Sequence, residues 1–221
     1  MAGGMPVVAI PTPGVVGGRP RKEPLYDSEV IKGATAVPTE VLIFQNFAQF
    51  RAAPADTNIA QAKEQGRDTN LQGGQSGLPQ STAFFWFQWR LKIRTLGVNL
   101  TTTANAIVSE EIRRLRQLAS VTFRFSQTDL ITVQADELPD GVGPTSHHSN
   151  HAGAVSWGLV NGTPHRNNFK DVTVSQKPVG INALEQFRVV WRTPTAAGLT
   201  PTVDYFLCPV LDGLLIRGIT G

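Results

Sequence analysis

Residues 81–96 read S-T-A-F-F-W-F-Q-W-R-L-K-I-R-T-L. At period two, Phe85, Phe87, Trp89, Leu91 and Ile93 fall on one face, and Trp86, Gln88, Arg90, Lys92 and Arg94 on the other. A helix of 3.6 residues per turn would spread those apolar and cationic groups around the whole cylinder, whereas a pleated strand separates them. The spacing predicts a long, half-buried antiparallel strand with an aromatic face for a core and a cationic face turned outward.

The totals agree with a strand-rich chain. Its 221 residues suffice for one large domain with a substantial core. The 21 glycines and 15 prolines, with few helix-forming runs, point to many strands joined by turns. A net charge of +3 and a pI near 9.3 permit contact with nucleic acid or anionic headgroups, but lack the charge density of a dedicated nucleic-acid binder. The single cysteine, Cys208 in Y-F-L-C-P, cannot form an internal disulfide, and its apolar surroundings predict a buried structural thiol. No stretch approaches the roughly 20 apolar residues of a membrane span, and the first residues lack the pattern of a signal peptide. Synthesis in a reducing cytoplasm is the expectation.

Residues 1–36 are expected to be an extended Pro/Gly-rich N-terminal arm, because repeated prolines in M-P-V-V-A-I-P-T-P-G-V-V-G-G-R-P-R-K-E-P prevent a helix or a central strand. Residues 37–221 then form the folded domain. Within it, 41–44 is a short strand, and the polar run 51–80 is too long for an idle loop and predicts a contact segment. Residues 104–117 are the one convincing helix, with Val108, Ile112 and Leu115 at i, i+4 and i+7, and Glu110 and Glu111 ahead of Arg113 and Arg114 on a solvated face. A hairpin of 118–126 and 130–138 follows, then strands at 154–160, 170–175, 186–192, 201–210 and 214–219. About eight strands and one helix, without strand–helix alternation, predict an all-β antiparallel sandwich of jelly-roll type.

Chemistry is sparse along this chain. His147, His148 and His151 in T-S-H-H-S-N-H are weak metal candidates, since neither H-E-x-x-H nor a cysteine pair supports them, and an exposed polar loop is the plainer expectation. There is no G-x-S-x-G elbow, and G-G-Q-S-G at 73–77 lacks the Lys-Ser/Thr of a phosphate loop. No enzymatic activity and no cofactor are expected. What recurs is a pattern of strand cations: Arg90, Lys92, Arg94, Arg124, Arg188 and Arg192, with Arg217 as an addition. If their strands share a sheet they make one basic wall, which Asp204 is the main acid to neutralise. Such a face suits acidic neighbours, lipid headgroups or nucleic acid.

The run R-D-T-N-L-Q-G-G-Q-S-G-L-P-Q followed by F-F-W-F-Q-W-R-L-K-I resembles major capsid proteins of small icosahedral, membrane-containing bacteriophages. Asp68, Thr69, Asn70, Leu71, Leu78 and Pro79 carry the likeness, and S-Q-T-D-L-I-T-V-Q-A-D-E-L-P-D-G is similar to a later strand and Leu-Pro turn of those subunits. It covers roughly 41–143. The resemblance implies a virion structural protein: a capsid subunit that assembles an icosahedral shell with copies of itself, as trimers or higher, alongside other virion proteins. It also implies an internal membrane or nucleic acid as partner of the basic face, and no small-molecule substrate. Many members of that lineage carry two jelly rolls, whereas this chain has room for about one. A receptor- or carbohydrate-binding β-sandwich, with Trp157 stacking on sugar, is the alternative, and a histidine metalloenzyme the third.

Overall fold

The computed structural model describes residues 20–71, 77–95, 102–138, 144–151, 154–161, 170–171, 179–194 and 198–217. In chain order the strands are β1 (Pro20–Lys22), β2 (Leu25–Tyr26), β3 (Glu29–Ile31), β4 (Glu40–Ile43), β5 (Thr82–Arg94), β6 (Ser120–Phe125), β7 (Thr128–Gln134), β8 (Pro144–His151), β9 (Ala154–Asn161), β10 (Lys170–Asp171), β11 (Val179–Ile181), β12 (Phe187–Arg192) and β13 (Tyr205–Arg217). Helix α1 (Thr102–Leu118) lies between β5 and β6. The protein is an all-β antiparallel sandwich. A seven-stranded sheet is built on the pair β13–β5, a four-stranded sheet runs β4-β12-β6-β7, and β8 and β9 pair with each other.

Among the described residues thirteen strands replace the expected eight or so, partly because prolines cut one edge into pieces. β1, β2 and β3 all pair with β13 in a single continuous register, from Pro20 opposite Ile216 to Ile31 opposite Tyr205. Pro24 falls in the first gap. The second gap, Asp27–Ser28, lies alongside Pro209, which has no N–H to donate. Residues 20–31 therefore belong to the sandwich and not to an arm ending at 36, with Leu25, Val30 and Ile31 buried. The prolines shorten pairing locally without preventing it. Residues 1–19 lie outside the described residues. At the other end, one 13-residue strand, β13, replaces the two expected over 201–210 and 214–219, because Gly213 continues the ladder; residues 218–219 lie outside the described residues.

The central strand is confirmed, with a change of phase. β5 and β13 pair over nearly their whole length, but the register shifts between Asp212 and Gly213, so that Gln88 faces Asp212 and Trp86 faces Gly213. Phe87 is the extra residue of a β-bulge. Phe84 and Trp86 therefore point into the core together with Trp89 and Leu91, while Phe85 and Phe87 are only half-buried. A strict alternation had placed Trp86 among the cations. At the bulge the Trp86 indole N–H donates to the Gln88 carbonyl at 2.7 Å, so its burial leaves no orphan donor.

The two larger sheets meet through aromatic side chains. Trp86 packs on Phe123 at 4.3 Å between centroids, Phe123 on Phe187 at 6.2 Å, and Phe187 on Phe44 at 5.2 Å. Helix α1 contributes buried Val108 and Leu115, as its spacing predicted. Its Glu111, however, is buried rather than solvated: it accepts from Thr202 N, Thr202 Oγ1 and the Tyr205 hydroxyl. Arg116 likewise turns inward and donates to the carbonyls of Leu91 and Leu138. These charged anchors fix the helix against the strand ends. Cys208 is buried and unpaired, and burial pushes its thiol pKa up.

Candidate assembly surface

The predicted cations separate onto two sheets and do not form one wall. Arg90, Lys92 and Arg94 lie on β5 of the seven-stranded sheet, and Arg124, Arg188 and Arg192 on β6 and β12 of the four-stranded sheet. Alternation identifies an outward position without revealing which sheet a strand joins.

On β5 the charges are largely matched within the molecule. Arg90 makes a two-pronged contact with Asp212 on the neighbouring strand, at 2.8 and 3.0 Å. Arg94 donates to the Asp68 carboxylate and the Arg67 carbonyl, each at 2.8 Å, and its guanidinium lies 5.8 Å from the Phe206 ring centroid. Asp204, expected to offset the basic wall, instead accepts from the backbone N–H groups of Gly33 and Asp56. Arg217 reaches Glu23.

The four-stranded sheet does bring three cations together. Arg124 and Arg188 are directly opposite each other across β6 and β12, and Arg192 follows on the same side of β12. Asp129 on β7 binds Arg124 and lies 3.8 Å from Arg192, which also contacts Glu40 at 3.1 Å. The hydrogen bond from Arg124, aided by the charges of Arg192 and Arg188, holds the Asp129 carboxyl below its usual pKa. Among the described residues, the Arg188 guanidinium meets the Ser126 carbonyl at 3.5 Å. Among the described residues, three arginines against two carboxylates leave this partly exposed face positive by one. Exposed pairs of this kind hold little stability, so they remain adaptable toward an acidic neighbour.

The polar segment after β4 is a clamp. The Lys63 side chain, fully buried, donates to Asp27 at 2.9 and 3.0 Å, to Glu29 at 2.9 Å and to the Asn46 carbonyl at 2.6 Å. Burial raises both carboxyl pKa values against the opposing pull of Lys63, that of Glu29 to about 7. Farther along, the D-T-N-L stretch fastens the segment to the β2 edge. Burial acts to raise the Asp68 pKa, but hydrogen bonds from Arg67 and Glu64 N, with the charge of Arg94, hold it below the normal range. Asn70 accepts from Tyr26 N at 2.9 Å and donates to the Pro24 carbonyl at 2.5 Å, while Leu71 enters the core. Leu71, Leu78 and Pro79 line, with Leu25, Leu215 and Asn70, a pocket of about 190 Å³ beside β1.

Sequence reasoning missed Asp27, Glu29 and Lys63. The signal was present for the acids: in L-Y-D-S-E-V-I they share the period-two face of Leu25 and Ile31, an inward position where unpaired carboxylates are costly. Nothing adjacent marked Lys63 as their partner, thirty-odd residues away.

His147, His148 and His151 lie on β8, paired with β9 opposite Gly158, Trp157 and Ala154. That run is a strand rather than the expected loop. The side chains of these histidines and of Trp157, and all of His165, lie outside the described residues. Among the described residues no group of three or more His, Cys, Asp or Glu is placed to hold a metal. Among the described residues no helix is long and apolar enough to cross a membrane. No family model, curated protein or solved structure matches this chain.

Proposed function

We propose that this chain is a virion structural protein, a capsid subunit of jelly-roll type that builds a closed shell with copies of itself. The observation that carries the reading is the position of β1. Its three residues are exposed at the rim of the seven-stranded sheet, and the nineteen residues before it bear the apolar clusters V-V-A-I and V-V. A leader attached at a sheet rim can be laid on a neighbouring copy, and the pocket beside β1, where Leu25, Leu71, Leu78 and Leu215 stand beside Glu23 and Arg217, offers a mixed apolar and charged floor for such a contact. The likeness of D-T-N-L and L-P to phage capsid subunits supports the same reading, as does their role here in clamping a long segment into a rigid block. Shell assembly requires rigid units joined through many modest contacts, closed by symmetry. The Arg124–Arg188–Arg192 face is a second contact surface, suited to an acidic patch of a neighbour, lipid headgroups or nucleic acid.

Electron microscopy and light scattering of the concentrated protein test this. Trimers or closed shells are expected. A monomer at all concentrations that is retained on a glycan surface would favour the carbohydrate-binding alternative instead.

A further inference from the structure

We propose that Lys63 and Asp27 are a self-modification site at which the chain forms an intramolecular isopeptide bond, with Glu29 as the catalytic carboxylate. A lysine amine is a competent nucleophile toward a carbonyl carbon when held dry and close to it. Lys63 Nζ lies 2.9 and 3.0 Å from the two oxygens of Asp27, within van der Waals reach of the carbon between them. The side chains of Lys63, Asp27 and Glu29 are 0%, 0% and 1% exposed, so bulk water is excluded from the reacting atoms.

Three further features match the chemistry. Glu29 Oε1 is 2.9 Å from the same nitrogen, and the Arg51 N–H fixes its other oxygen at 2.9 Å. The Phe44 N–H donates to Asp27 Oδ2 at 2.9 Å, where negative charge develops during attack. Phe44 is held at φ 66°, a left-handed conformation that a bulky residue rarely adopts.

The reaction is a balanced condensation. A proton moves from the Lys63 ammonium to Asp27 Oδ1, giving an amine and a carboxylic acid. The nitrogen lone pair attacks Asp27 Cγ, forming the N–C bond and moving the carbonyl pair onto Oδ2. The Glu29 carboxylate takes a proton from the nitrogen and delivers it to the Oδ1 hydroxyl. The Cγ–Oδ1 bond then breaks, water leaves, and the carbonyl reforms as an amide. Glu29 finishes as it began, and no oxidant or cofactor is consumed. A carboxyl whose pKa burial has raised to about 7 can both accept and return that proton near neutrality. The product replaces two buried charges by a neutral amide, removing a desolvation cost.

Intact-mass spectrometry of the denatured full-length protein tests this. The wild type is expected to be lighter than its sequence by one water molecule, once removal of Met1 is allowed for. Trypsin should yield residues 23–32 joined to residues 52–67, with Lys63 uncleaved. The variant Lys63→Arg should have its full sequence mass, and Glu29→Gln should form the bond at least about a hundredfold more slowly. Folded wild-type protein at full sequence mass overturns the proposal without recourse to any variant. A linkage to Glu29 in place of Asp27, or unimpaired bond formation in Glu29→Gln, overturns the assignment of roles.

Discussion

At the scale of single residues, the positions that matter most are those where a local rule gives way. Gly213 stands opposite Trp86 at the β5 bulge, and a Cβ there would lie 2.3 Å from the Phe85 carbonyl oxygen and 2.4 Å from the Phe84 ring. Gly213→Ala therefore has to displace backbone as well as side chain, and it should cost upward of about 2 kcal/mol in denaturant unfolding. Glu29 supplies a prediction in pH. Its folded carboxyl binds its proton more tightly than the unfolded one, which titrates at 4.5, so its contribution is full below that value and is lost as pH rises toward about 7. Stability measured by chemical denaturation should fall across that window by on the order of 3 kcal/mol, and Glu29→Gln should flatten the fall. Asp68 acts oppositely. Its depressed carboxyl stabilises above the ordinary aspartate range and loses that contribution as pH drops through the folded value, so Asp68→Asn should blunt acid unfolding.

At the scale of elements, much of the molecule was legible because its strands are half-buried and its helix is amphipathic. The expected helix 104–117 is α1, and the expected hairpin is β6–β7. In β12 the inward residues Phe187, Val189 and Trp191 are those that alternation picks out. Period two failed at Phe87, because a bulge leaves no mark on composition and shifts every residue on one side of it. Prolines misled in residues 20–31, where they interrupt an edge strand without detaching it. The D-T-N-L stretch was recognisable as a motif, but its work is a set of backbone and side-chain hydrogen bonds to Pro24 and Tyr26 that spacing cannot show. Asn70→Ala removes two of them where both partners are partly buried. It should lower stability by about 2 kcal/mol and loosen the segment around Lys63 and Asp68, seen as faster amide exchange in residues 61–71.

At the scale of the whole molecule, most of the charge that gave the sequence its basic strand faces is answered within the chain. Arg90 and Arg94 are matched by Asp212 and Asp68, and among the described residues one positive charge beyond the facing carboxylates remains on the face of Arg124, Arg188 and Arg192. On the proposed reading, Arg188→Glu should leave the thermal midpoint near the wild-type value while weakening assembly at low salt, and added salt should partly relieve the defect by screening the new repulsion. On the proposed reading, association falls first to the rim at β1 and the residues before it, with the arginine face as a second contact. Sedimentation velocity of the full-length chain beside a chain beginning at Pro20, at matched high concentration, tests that division most directly. The full-length protein should sediment as trimers or shells and the shortened one as an equally stable monomer, whereas a monomeric full-length protein, or assembly that survives the truncation unchanged, would contradict it.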